Sequence, residues 1–168
     1  MTLRVLWLAF AVATTSAHAQ PPRDDFGFLE RWQILSEQFR LGKLAVTEQG
    51  MPVGFDTLLS KPTEERHFNV SIGAEHSSVP FNRIHAWRVH IKTPAGKPVE
   101  GAALSFFGGM PLHNHGFPTE PLLAGELAPG TYRLEGVKFS MGGWWTLALG
   151  VVANDLSDRV SFNLVIDP

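Results

Sequence analysis

Residues 83–93 read RIHAWRVHIKT, and the fold turns on how that stretch is read. His85, Trp87, Val89 and Ile91 fall on one side of a chain with period two, while Arg88 and His90 fall on the other. That is the pattern of a half-buried strand, since successive side chains of a strand point to opposite faces. The same alternation precedes it in HFNVSIG, residues 67–73, which puts Phe68, Val70 and Ile72 on one face. Further strands are read in ALSFFGG (103–109), after the turn at the head of LAPGTYRLEGVKFS (127–140), in WWTLALGVVA (144–153) and in VSFNLVI (160–166). PAGKPVEGA, residues 94–102, is turn chemistry, because proline fixes φ and glycine supplies positive φ. Short strands punctuated by Gly/Pro turns predict an all-β fold, an immunoglobulin-like antiparallel β-sandwich of about seven strands over residues 65–168.

Upstream the signals change. Residues 1–19 carry Arg4, the apolar run VLWLAFAVA and an AHA step before Gln20, the marks of a signal peptide cleaved after Ala19. The apolar run is too short for a membrane span, which needs roughly 18 residues or more. The expected product is a periplasmic or secreted chain without a membrane span. Residues 20–64 read as a partly helical or irregular N-terminal extension. In DDFGFLERWQILSEQFRLG (24–42), Leu29, Trp32, Leu35 and Phe39 recur at helical spacing, with Asp24 or Asp25 as the cap and Gly42 as the stop. KLAVTE, residues 43–48, is one possible strand.

The chain has 168 residues and a net charge of −2, which becomes −3 when the leader takes away Arg4. Mild acidity offers no basic face to nucleic acid. There is no cysteine, which excludes disulfides, thiol chemistry, iron–sulfur clusters and thiolate zinc sites. No nucleophile elbow, His-Glu-x-x-His helix or phosphate loop is present, and the spacing of Glu120, Glu126 and Asp155 does not argue for acid/base work. The chain is therefore not expected to be an enzyme.

One segment stands out against this background: MPLHNHGFPTEP, residues 110–121. In an extended chain a His-x-His step throws both imidazoles to one side. Met110, His113 and His115, joined by Met141 if the fold brings it close, make a soft donor set that suits copper, and His85 is an auxiliary candidate. Trp87 shares a face with His85, and an indole face can stabilise a cation. The competing reading makes the methionines core fillers and the histidines turn residues bonded to backbone. His67 and His76 read as ordinary surface residues without partners. Of the adjacent Trp144 and Trp145, opposite strand faces predict one buried and one partly exposed, the latter a docking surface or covered by the extension.

The ordered set of a His-x-Trp strand at 85–87, a Gly-x-Pro-Val turn at 96–99, Met-Pro-x-His-x-His-Gly at 110–116 and Phe-x-Met-x-Gly-x-Trp at 139–145 resembles the YtkA-like, or FixH-related, family of exported β-sandwich domains. The resemblance covers about residues 84 to 152. FixH proteins proper are membrane-anchored, which this chain is not expected to be. Some family members carry an auxin-binding label, and others are associated with copper and oxidase assembly. The resemblance implies an exported copper carrier or assembly factor whose partners are the copper ion and a protein acceptor such as an oxidase or efflux component. The alternative is a metal-free interaction or small-ligand module.

Overall fold

A computed structural model describes residues 27–168. The leader, its cleavage site after Ala19 and the expected caps Asp24 and Asp25 lie outside the described residues. Among the described residues one α-helix, α1 (Phe28–Arg40), precedes nine strands: β1 (Ser60–Pro62), β2 (Asn69–Ala74), β3 (His85–Lys92), β4 (Ala103–Met110), β5 (His115–Gly116), β6 (Leu122–Ala128), β7 (Thr131–Val137), β8 (Gly143–Ala153) and β9 (Leu156–Ile166). They form two antiparallel sheets, ordered β1-β2-β3-β7-β6 and β5-β4-β8-β9. Without the short β1 and β5, seven strands remain in the four-plus-three arrangement of an immunoglobulin sandwich.

The core follows the alternation of the sequence. Phe68 just before β2, Val70 and Ile72 within it, and Trp87, Val89 and Ile91 of β3, are buried against Leu104, Phe106, Trp145, Leu147 and Leu149 of the facing sheet. Tyr132 lies buried with them, its hydroxyl donating to the Val99 carbonyl (2.7 Å) and accepting from the Ala102 N–H (2.9 Å). That pair of bonds ties the crossing between the sheets to β7 and satisfies a polar group that burial would otherwise penalise.

The outer face of the β5-β4-β8-β9 sheet is covered by the residues that precede the sandwich. Phe28 and Trp32 of α1 lie over Phe107, at ring-centroid distances of 6.4 and 5.2 Å, and Phe55 meets Trp144 edge-on at 6.0 Å. Trp144 is consequently 2 % exposed, and Trp145 on the inner face is fully buried. Of the two places expected for the outward tryptophan, a docking surface or beneath the extension, Trp144 takes the second: both tryptophans are buried, because Phe55 and α1 lie over the sheet. Phe28, Trp32 and the half-buried Leu35 make the helix stripe, whereas Leu29 and Phe39 face solvent. The cap is Gly27 in the left-handed region, φ 63°. The strand expected in KLAVTE is reduced to one bridge between Val46 and Pro52. β6 was not visible as a strand in the sequence.

Candidate metal centre

β4 ends at Met110, and the next six residues turn the chain back on itself. Pro111 opens a 3-10 turn over Pro111–His113, its fixed φ suiting a first helical position. Asn114 then takes the left-handed conformation, φ 53°, which asparagine tolerates better than most residues. The chain reverses there, and β5 pairs with β4 so that Gly109 faces Gly116 and Met110 faces His115. Ser36 of α1 donates to the Pro111 carbonyl at 2.6 Å and fixes the turn from outside.

The glycines are required by close approach. A Cβ on Gly108 would stand 2.7 Å from both the Phe117 ring and the Thr146 carbonyl oxygen. Gly109 has φ 153°, and a Cβ there would meet the His115 carbonyl, Gly116 Cα and the tip of the Trp32 indole. These two residues make the last pairs of β4 with β8, opposite Leu147 and Thr146.

The His-x-His step is not extended, so the expected reason for its geometry is corrected. The left-handed Asn114 brings the rings together instead, with centroids 5.9 Å apart. His113 is exposed at the end of the turn, and His115 is half-buried. His115 Nδ1 donates to the Gly116 carbonyl at 2.9 Å, an assignment that follows from the carbonyl being an acceptor only. The lone pair is then on Nε2, which is buried without a hydrogen-bond partner in the protein. This arrangement, one ring nitrogen held by a carbonyl and the other left bare, is how metal-ligating histidines are oriented. Met110 lies opposite His115 on the same face of the sheet and is 1 % exposed.

Met141 and His85 are placed differently. The Met141 side chain is 40 % exposed, and its carbonyl accepts the Trp145 indole N–H at 3.0 Å. His85 is buried at a bulge that opens β3, its Nδ1 bonded to the Arg83 carbonyl at 2.9 Å and its Nε2 also without a partner. Burial pushes its pKa below the ordinary histidine value, with a smaller push from His76, against the opposing effect of the Arg83 bond. Ring contacts run from His85 to Phe139 (5.6 Å), from Phe139 to Trp145 (5.1 Å) and from Trp145 to His115 (5.9 Å). The fold therefore gathers Met110, His113 and His115 directly and links His85 to them only through aromatic rings.

Among the described residues no three histidines or carboxylates stand together as a metal site. What the end of the sandwich offers is two imidazoles and a thioether, a set that fits a soft monovalent ion better than a hard divalent one. The carboxylates have other work. Glu126 accepts from the Gly101 and Gly130 amides at 2.9 and 2.8 Å and so holds two turns. The buried Asp158, missed in the sequence, accepts from the Thr63 hydroxyl and from the amides of Glu65, His67 and Arg159. Burial raises its pKa, but these bonds outweigh that and hold it below the usual aspartate value. The His67 amide is what Asp158 holds, so the residue is tied to the fold through its main chain, while its ring Nδ1 lies 3.8 Å from the carboxylate without a hydrogen-bond partner. An acid at an inward position, in step with Val160 and Phe162, was the signal available in the sequence.

No curated protein matches the chain. Two solved structures are similar in part. A DUF4426 family protein from Pseudomonas aeruginosa shares 23% identity at a TM-score of 0.48, covering 65% of this chain and 96% of that one. The ZirS C-terminal domain shares 14% at a TM-score of 0.38, covering 71% of this chain and 78% of that one. The pattern of the YtkA-like family matches residues 67–150, half of the chain, from the start of the β2 region through most of β8 and including the whole Met/His turn. The chain belongs to the YtkA-like family.

Proposed function

We propose that this YtkA-like β-sandwich is an exported copper-binding protein that takes up Cu(I) on Met110, His113 and His115 and passes it to a protein acceptor. The observation that carries this reading is His115: its Nδ1 is fixed by the Gly116 carbonyl and its buried Nε2 has no partner in the protein. A buried polar atom left bare costs about 1–3 kcal/mol, so a ligand that engages it regains that amount. Copper bound there gains a second imidazole from His113 and a thioether from Met110, which faces His115 across the strand pair. His113 is exposed, so an incoming donor on an oxidase or efflux component has one ligand to displace without opening the core. Export agrees with the family, whose members are typically exported, and no helix among the described residues is long and apolar enough to cross a membrane. Met141 and His85 are secondary in this reading. The test is competitive Cu(I) titration of the protein beside a His113→Ala/His115→Ala variant; equal, weak uptake by both would end the copper reading.

A metal-free small-ligand module is the second reading. Its support is a cleft of about 350 Å³ between α1 and the outer sheet face, lined by Phe28, Trp32, Leu35, Phe55, Phe107 and Trp144. That volume is within the range of small-molecule sites, which are about 300–1,000 Å³. Titration with an apolar fluorescent dye separates the two readings, because Trp32→Ala should change dye uptake and leave copper uptake alone.

A further inference from the structure

Resting on the copper reading, we infer that Trp145 is part of the site: a cation on His115 Nε2 is held against the face of its indole, which makes the centre selective for Cu(I) over Cu(II). The indole has no other polar task left open. Its N–H is bonded to the Met141 carbonyl at 3.0 Å, which fixes the ring plane. Phe117 stacks on it at 5.2 Å with planes 23° apart, and Phe139 meets it edge-on at 5.1 Å. The His115 ring stands nearly perpendicular to it, 73° between planes and 5.9 Å between centroids. His115 Nδ1 is held by the Gly116 carbonyl, and Nε2 of the same ring, whose aromatic neighbours are His113 and Trp145, is buried and bare.

The electrostatics follow from that placement. A ring face carries negative quadrupole density, and tryptophan is the strongest of the three aromatics in attracting a cation within about 6 Å. The surroundings are apolar, because Trp145, Phe139 and Met110 are all buried. Burying two positive charges there without carboxylates costs far more than burying one. This setting thus favours a monovalent ion with few ligands, for which the indole substitutes for the missing donor.

The probe is Ag(I), a redox-inert monovalent stand-in, used alongside Cu(I) on the whole protein. Indole N–H resonances are followed by NMR, with Trp145→Phe and Trp144→Phe supplying the assignments. The expected result is a shift of the Trp145 resonance and an indole absorption change at one equivalent, with the Trp144 resonance, bonded to Asn163 on the opposite face, nearly still. Trp145→Leu should weaken Cu(I) binding roughly tenfold and Trp145→Phe less, with Cu(II) binding changed under about twofold. Should Trp145→Leu fail to fold, the wild-type spectrum decides. Stoichiometric Ag(I) uptake with an unmoved Trp145 resonance overturns the inference and leaves the copper reading standing. No uptake of either ion overturns both.

Discussion

Met110 and His115 are paired across the β4–β5 ladder, five residues apart in sequence and directly opposite in space. Residues opposite one another on an antiparallel pair project to the same face, with Cβ atoms about 5 Å apart. A fully buried methionine is therefore paired in register with the histidine that carries a bare, buried nitrogen. In the proposed copper site one side chain would serve the packing of the sandwich end and the donor set together.

Met110→Leu separates those two roles. Leucine conserves volume in a core, so the stability cost should be below about 1.5 kcal/mol. Loss of the sulfur donor should lower Cu(I) affinity at least tenfold, read by competition with a chromogenic chelator. A variant with unchanged affinity would make Met110 a packing residue only.

Gly109→Ala tests the close approach that positions the turn. A Cβ there meets backbone of β5 and the Trp32 indole, and φ 153° disfavours any L side chain. The expected destabilisation is about 3 kcal/mol or more, seen as a lowered denaturation midpoint. Because β5 is displaced, copper affinity should fall in the same variant.

Asp158 should contribute to the acid sensitivity of the fold. Its pKa is depressed in the folded state, so its contribution is complete above the unfolded value of about 3.9 and is lost as pH falls through the folded value. Stability should decline below about pH 4. Asp158→Asn should cost on the order of 2 kcal/mol at neutral pH and flatten that part of the pH profile, since its amide opposes donors that face it. Thermal denaturation across pH 2–7 checks both.

Trp32→Ala tests the cover over the outer sheet face. Removing a buried tryptophan should cost about 3–5 kcal/mol if the helix is integral to the fold. Its ring meets Phe107 edge-on, so Phe107 and Phe28 lose their cover with it. A change below about 1 kcal/mol, read from denaturant unfolding, would show that α1 is an accessory.

The strands that could be read from sequence are those with one buried and one open face, β2 and β3 above all, where alternation maps directly onto burial. β6 escaped because nearly all its residues are exposed at a sheet edge, so no period survives to be seen. Covering by the extension was legible only as one of two alternatives for the outward tryptophan, because the burial of the row Trp144, Thr146 and Ala148 depends on Phe55 and α1, far away in sequence. In the site, the residue types Met110, His113 and His115 could be picked out, but their geometry could not. It depends on a left-handed Asn114 and on β5 folding back, and neither leaves a periodic trace.

The most direct test of the central claim is the Cu(I) affinity and stoichiometry of the whole protein, measured by chelator competition beside the Met110→Leu/His113→Ala/His115→Ala variant. One tightly held ion in the wild type, lost in the variant while its fold is retained, is the predicted result. Equal and weak binding by both proteins would contradict it and leave the turn histidines as structural residues.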